Sequence, residues 1–283
     1  MLTKKCEFWK YSENIDNLIS INFFFKILQS IINFPFNFYT YLCLNYHLYN
    51  INLSKLDEIE EQNLSITNGK VISWNIQYGN GCLFNSFTFP KMINFLKNES
   101  AEIYLFQEVL EMEKYKQTTI LKNKLNMHYS LYSPISNFNN MKIGNYILCK
   151  NEIKKLYDDY KFQIVETLVN NENIILVNTH LTADLTCMTQ EKEIKNLINI
   201  LSNYKDRKIL ILGDFNLPYW SSVIKILKNN NLKELSNQLY SFPSIYPLFK
   251  FDYCFYKNFE NLIINIPYKV KFSDHLPVII NLQ

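Results

Sequence analysis

The run Ile209-Leu210-Ile211-Leu212 leads without a break into Gly213-Asp214-Phe215-Asn216. A strand with one wet face alternates apolar and polar residues, so four apolar residues in a row imply a strand covered on both faces. Such a strand needs a layer above it and a layer below it, which restricts the chain to a layered α/β arrangement. Gly213 lets the backbone turn or approach another segment at the end of the strand. Asp214 and Asn216 are two positions apart, so on an extended backbone they face the same side. Two converging polar groups at the end of a buried strand are where a site is built.

The remaining composition sets limits. The 283 residues are 48% hydrophobic and 16% aromatic, enough for one large domain plus an extension. Isoleucine, asparagine, lysine, tyrosine and phenylalanine are heavily used and Arg207 is the only arginine. That bias reads as genome-wide, so abundant asparagine is not taken as disorder. From Lys70 onward there are 24 basic side chains against 19 carboxylates. This permits a polyanionic partner without demanding one, since a dedicated nucleic-acid binder carries more positive charge and more arginine. The six cysteines form no CxxC pair, which removes the common zinc and redox motifs. Cys149 and Cys254 lie in apolar runs and read as core residues. Their scatter fits a reducing, intracellular location.

The chain divides near residue 68. Residues 1–68 form an apolar N-terminal extension, and residues 69–283 carry the alternating strand–helix pattern of a separate domain. Between Asn17 and Ser54 the only firmly charged side chain is Lys26. The segment 18–44, with lysines before it and acidic residues after it, resembles a membrane anchor or an interfacial segment. Asn22, Gln29, Asn33, Pro35 and Asn37 interrupt it, and polar residues at mid-span are costly. A core-packing extension is the alternative.

Periodicity predicts strands at Val71–Ile76, Glu102–Phe106, His128–Tyr132, Asn145–Cys149, Phe162–Val169, Ile174–Asn178, from Ile209, at Phe251–Tyr256 and at Val278–Leu282. Helices are predicted at Thr88–Asn98, with Thr88 as cap, at Glu111–Leu125, at Met188–Tyr204 and near Ser221–Lys228. Several strands end in polar groups. Val71–Trp74 leads into Asn75, Ile103–Phe106 into Gln107-Glu108, and Ile174–Val177 into Asn178-Thr179-His180. Asp252 lies inside Phe251–Phe255, and Ser273-Asp274-His275 precedes the last strand. Each alone reads as a capped turn or a hydrogen-bonded structural histidine; together they gather carboxylates, carboxamides and two histidines at strand ends.

Hard oxygen ligands such as Glu108 and Asp274, with Asn75 nearby, suit Mg2+ or Mn2+. Zinc would want several histidines or thiolates close together, and the four histidines are far apart in sequence. Asp252 could orient His275 and hold it protonated. Asp214 could position or deprotonate a water, with Asn216 fixing it.

The ordered set Ser73-Trp74-Asn75, Phe106-Gln107-Glu108-Val109, Gly144–Leu148, Asn178-Thr179-His180-Leu181, Gly213-Asp214-Phe215-Asn216, Phe251-Asp252-Tyr253 and Ser273–Pro277 resembles the endonuclease/exonuclease/phosphatase superfamily, the DNase I-like and exonuclease III-like proteins. The resemblance implies a DNase I-like four-layer α/β sandwich, two mixed β-sheets packed face to face and flanked by helices, with the site at one end. It implies Mg2+- or Mn2+-dependent hydrolysis of phosphate esters. Glu108 would be the main metal ligand, completed by Asn75 and Asp274. Asp214 and Asn216 would activate or orient the attacking water. His180 would contact the scissile phosphate, and His275, paired with Asp252, would stabilise the transition state or act as general acid. Members often carry a tyrosine or arginine on the phosphate between the glutamate and the first histidine; Asn145 and Tyr146 are the substrate-binding candidates. With one arginine in the chain, a phosphate clamp must use lysine, a point charge without the bidentate fork.

A nucleic-acid substrate is the first expectation. A phospholipid or inositol phosphate, reached through a membrane-associated extension, is the main rival, and a tyrosyl-DNA-type or nucleotide-conjugate phosphodiesterase is a third reading. A non-catalytic binding module on the same fold is the contrasting class. No protein partner is inferable.

Overall fold

Two six-stranded sheets form the centre of a computed structural model of the chain, which describes residues 69–81, 87–138, 141–184, 186–235 and 240–283. The segment 18–44 lies outside the described residues. Among the described residues, no helix is long and apolar enough to cross a membrane.

The first sheet is built from β1 (Lys70–Asn75), β2 (Ile103–Glu111), β3 (Tyr129–Phe138), β4 (Met141–Cys149), β11 (Leu262–Asn265) and β12 (Val278–Leu282), in the order β11-β12-β1-β2-β4-β3. The second contains β5 (Ile153–Asp158), β6 (Phe162–Val169), β7 (Glu172–His180), β8 (Lys208–Asp214), β9 (Lys233–Glu234) and β10 (Asp252–Lys257), in the order β5-β6-β7-β8-β10-β9. Each is mixed: β1 and β2 run parallel, as do β7 and β8, and the other pairs are antiparallel. A parallel pair needs a crossover, and each has one. Helix α1 (Phe89–Glu99) lies between β1 and β2 in the chain, and α3 (Met188–Leu201) lies between β7 and β8. Helices α2 (Gln117–Lys124) and α4 (Val223–Asn229) complete the set.

The apolar residues of β8 go to both faces, as an unbroken run requires. Leu210 and Leu212 pack between the sheets with Val71, Leu105 and Ile147. Ile209 and Ile211 pack outward against Ile194 and Leu197 of α3. On the far side, Trp74, Tyr104 and Phe106 pack against Met92, Ile93 and Leu96 of α1. Helix, sheet, sheet and helix give the expected four-layer α/β sandwich, and both parallel pairs put their C-terminal ends on one rim. Cys149 and Cys254 are fully buried core residues.

Gly213 is required by close approach. Its φ is 145°, and a Cβ there would come within 1.9 Å of the Thr179 carbonyl oxygen. Only glycine lets β8 lie this close to β7 at the site end.

Three expectations are corrected. The helix predicted over Glu111–Leu125 is shorter, because β2 continues through a bulge to Glu111 and α2 starts only at Gln117. Thr88 stands at the start of α1, but its hydroxyl donates to the Gly79 and Phe272 carbonyls and caps nothing. The strand predicted over His128–Tyr132 extends to Phe138.

Candidate active site

The site rim is built from strand ends. Asn75 closes β1, Glu108 sits in the β2 bulge, His180 closes β7, Asp214 closes β8, and Asp252 opens β10. The loop Ser273–Pro277 before β12 supplies Asp274 and His275. Pairing registers place His180 opposite Asp214 and Asp214 opposite Asp252, so the second sheet lines up three of these groups directly.

The two sheets meet here through hydrogen bonds. Asn75 Nδ2 donates to Glu108 Oε1 and to Asp214 Oδ2, each at 3.2 Å. Asn75 is thus a bridge between sheets. Its oxygen accepts from the Gln77 amide at 3.2 Å, so as placed the amide offers nitrogen, not oxygen, to the carboxylates. Ligation of a cation by Asn75 would require that amide to turn.

Asp214 is buried and contacted from several sides. Its Oδ1 accepts from the Asn216 amide at 2.8 Å. Its Oδ2 lies 3.6 Å from His275 Nε2 and 3.8 Å from His180 Nε2. Asn216 sits at φ 48° and donates through Nδ2 to the Leu181 carbonyl at 3.0 Å. Its side chain therefore fixes the loop after β7, and its backbone orients Asp214.

His275 has the expected partner. Its Nδ1 lies 2.8 Å from Asp252 Oδ2, and that carboxylate also accepts from the Ser241 hydroxyl. Burial alone would depress the imidazole. The charges of Asp252 and Asp214 and the Asp252 hydrogen bond outweigh it and hold the pKa well above the usual histidine value. His180 goes the other way: burial is the dominant cause, and Lys161 and His275 add to it against Asp214, leaving a pKa of about 4. The two neighbouring histidines are thus pushed in opposite directions. His180 Nδ1 is buried and meets no protein partner among the described residues.

The carboxylates on the first-sheet side carry an unbalanced charge. Asp274 is pushed up to about 7, first by burial and then by Glu108 and Asp214, against His275 and the Ser273 hydroxyl. Burial raises Glu108 as well, against the Asn75 hydrogen bond and His275. Neighbouring carboxylate oxygens that resist ionisation, as at Glu108 and Asp274, are a donor set that a divalent cation would satisfy. Asp214, Asp252 and His275 also offer three ligand atoms within 4.8 Å of one another. In that trio His275 Nδ1 is taken up by Asp252 at 2.8 Å, and Nε2 faces Asp214 at 3.6 Å.

The structure therefore brings together Asn75, Glu108, His180, Asp214, Asn216, Asp252, Asp274 and His275. It does not bring in Tyr146. Neighbouring residues of a strand face opposite sides, and Tyr146 points outward, its hydroxyl on the Thr118 carbonyl at 3.0 Å. Asn145 faces inward between the sheets, fully buried, and its side-chain amide atoms meet no protein partner among the described residues. Sequence reading missed Tyr78. It lies in a turn where Gln77, Tyr78 and Gly79 all have positive φ, and its hydroxyl bonds to Glu108. Gln117 ties down that turn, donating to the Tyr78 carbonyl at 2.6 Å. A buried polar pair was missed too: Gln107 donates to Asn178 Oδ1 at 2.6 Å, and Asn178 donates back to the Phe106 carbonyl at 3.1 Å. It links the strand bearing Glu108 to the strand bearing His180.

Residues 72–275 match the sequence pattern of the family described as Endonuclease/Exonuclease/phosphatase family. The chain belongs to that family. Among solved structures, an endonuclease/exonuclease/phosphatase from Beutenbergia cavernae DSM 12333 superposes with a TM-score of 0.63 at 13% identity, covering 76% of this chain and 72% of that one. Beta toxin 275-280 from Staphylococcus aureus gives 0.55 at 17% identity, with 76% and 99% covered. Truncated Caenorhabditis elegans TDP2 gives 0.52 at 15% identity, with 75% and 96% covered. At these identities the likenesses establish the fold alone. Among curated proteins none matches the chain.

Proposed function

We propose that this family member is a divalent-cation-dependent phosphodiesterase, and that its substrate is a nucleic acid. The observation that carries the reading is the convergence of two histidines on one buried carboxylate, one of them bonded to a second carboxylate. Asp214 lies between His275, held protonated by Asp252, and His180, held neutral by burial.

In this reading Asp214, oriented by the Asn216 amide, takes a proton from the attacking water. The water oxygen forms the new bond to phosphorus as the bond to the leaving oxygen breaks. Protonated His275 stabilises the charge that builds on phosphoryl oxygens and gives its proton to the leaving oxygen. Neutral His180 donates an N–H to a phosphoryl oxygen without adding charge beside His275. Mg2+ or Mn2+ at Glu108 and Asp274 would supply further positive charge to the same oxygens.

The mildly basic composition of the domain supports a polyanionic substrate. A phospholipid or inositol-phosphate ester is the second reading, favoured by the apolar segment 18–44, and it would bring membrane association with it. Retention of Glu108, Asp214, Asn216 and His275 argues against a non-catalytic module. An intracellular location fits the scatter of the cysteines along the sequence.

The test is product release from single-stranded DNA, duplex DNA, RNA, sphingomyelin and inositol phosphates, with Mg2+ and with chelator. Activity should appear with Mg2+ and disappear in Asp214→Ala and in His275→Ala. Activity that survives both substitutions would sink the assignment of roles.

A further inference from the structure

Two exposed aromatic rings follow the strand end that carries Asp214 and Asn216. Tyr219 and Trp220 are 58% and 50% exposed. They belong to the loop that leaves β8 through Asn216. Their rings meet edge to face at 4.8 Å, and Tyr219 reaches Tyr240 at 6.5 Å. Tyr240 directly precedes Ser241, whose hydroxyl holds Asp252. One residue beyond Ser241, Phe242 lies 4.9 Å from the His275 imidazole.

The loop that carries these rings is fixed. The Tyr253 hydroxyl donates to the Leu217 carbonyl at 3.0 Å, and the Ser221 amide donates to the Pro218 carbonyl at 2.9 Å. Burying these side chains in a protein core would have been favourable by a few kcal/mol each, so a rigid display of them in water marks a contact surface.

The chemistry of the surface selects its occupant. Exposed ring faces with hydroxyl edges suit a planar π-system with polar edges. A surface made to enter a bilayer would pair its apolar tip with free cations for anionic headgroups. Here the neighbouring Lys250 is buried against Glu234 at 2.7 Å, and Lys271 donates to the Ile245 carbonyl at 3.1 Å. A base can use an aromatic face only when it has left its own stack, because inside a duplex both faces of the base are occupied.

We infer that Tyr219, Trp220 and Tyr240 form a stacking platform for an unpaired nucleobase attached to the phosphate held at His275. The inference rests on the phosphodiesterase reading for the position of the phosphate. It narrows the substrate to single-stranded nucleic acid, or to an unpaired end or loop.

Binding without turnover tests it. The full chain in EDTA is titrated with a short dye-labelled single-stranded DNA, with the same sequence as a duplex, and with phosphatidylcholine–sphingomyelin vesicles, following tryptophan fluorescence of the wild type and, for the wild type and every variant alike, the anisotropy of the labelled strand. The single strand should quench the emission and bind about tenfold or more tightly than the duplex. The double change Tyr219→Ala, Trp220→Ala should weaken single-strand binding about tenfold or more, while Trp220→Phe, which keeps a ring, should restore most of it. Circular dichroism of each variant confirms that it is folded. Equal binding of single strand and duplex, unchanged affinity in the alanine variant, or quenching by vesicles alone would overturn the platform. Single-strand binding with the expected ring dependence, but no hydrolysis when Mg2+ is restored, would instead overturn the proposed activity and leave the platform standing.

Discussion

Glu234 and Asp274 are both sheltered carboxylates at the margin of the sandwich, and their surroundings are opposite. Burial would raise Glu234, but Lys228 and Lys250, each 2.7 Å away, outweigh it and hold its pKa below the usual range. Asp274 is raised to about 7, because its sheltered neighbours include Glu108 and Asp214 and only His275 opposes them by charge. The first cluster is complete within the chain. The second has charge left over, at the rim where four strand ends converge. Both clusters incur the cost of removing charge from water, but only Glu234 is matched by protein cations. The mismatch at Asp274 is the physical signature of a site that expects a ligand.

The largest effects should fall on the mismatched cluster and on catalysis. Asp214→Ala or His275→Ala should lower kcat by about 10³-fold or more, measured by product release at saturating Mg2+. Asp274→Asn should lower activity by about 10²-fold at moderate Mg2+, yet it should raise the melting temperature in EDTA by relieving repulsion. The pH dependence follows from the same shift. The folded pKa of Asp274 is near 7 against 3.8 unfolded, so between those values the folded state holds a proton that the unfolded state has released. Its contribution is present at low pH and is lost as pH rises through that window. Melting in EDTA from about pH 4 to pH 7 should therefore show a destabilising slope from this group that is absent in Asp274→Asn.

Glu234→Gln should do the reverse. It leaves two lysines without their carboxylate and should cost about 1–3 kcal/mol in denaturant unfolding, with kcat unchanged. The sign of its pH dependence is opposite as well. With the folded pKa below 4.5, its contribution is complete above that value and is lost as pH falls through the folded pKa. Should Glu234→Gln impair activity more than stability, the division into a structural and a functional cluster would break.

The smallest effect concerns Tyr78. Removing only its hydroxyl, in Tyr78→Phe, should weaken Mg2+ affinity a few fold by loosening Glu108, measured by calorimetric titration, and should leave kcat at saturating Mg2+ almost unchanged. A fall in kcat with unchanged Mg2+ affinity would move Tyr78 from positioning Glu108 to acting on substrate.

These contrasts also mark what could be read from the amino acids. Strands buried on both faces were legible because burial writes itself as unbroken apolar runs, and at Ile209–Leu212 the following Gly213-Asp214-Phe215-Asn216 announced the rim. The edge strands β5, β9 and β11 were not foreseen. Their exposed positions are Lys154, Lys155, Lys233, Ile263 and Asn265, a mixture of polar and apolar residues that blurs the alternation a half-buried strand should have. The end of β2 was misread because Glu111-Met112-Glu113-Lys114 has helix-forming composition, while the β-ladder through the bulge at Glu108 overrides it. Tyr146 was offered as a site residue although it neighbours Asn145 on one strand and must face the other way. Tyr78 left no local signal, since left-handed backbone at Gln77 and Tyr78 is dictated by Gln117 and Asn75 from outside the turn.

The comparison turns on whether the surplus charge at Glu108 and Asp274 is meant for a cation. Calorimetric titration of Mg2+ into the chelator-treated full chain measures this directly. The account predicts saturable binding with release of protons near pH 7, as Asp274 ionises on binding, and loss of that binding in Asp274→Asn but not in Glu234→Gln. No binding by the wild-type chain, or equal binding by the wild type and Asp274→Asn, would contradict it.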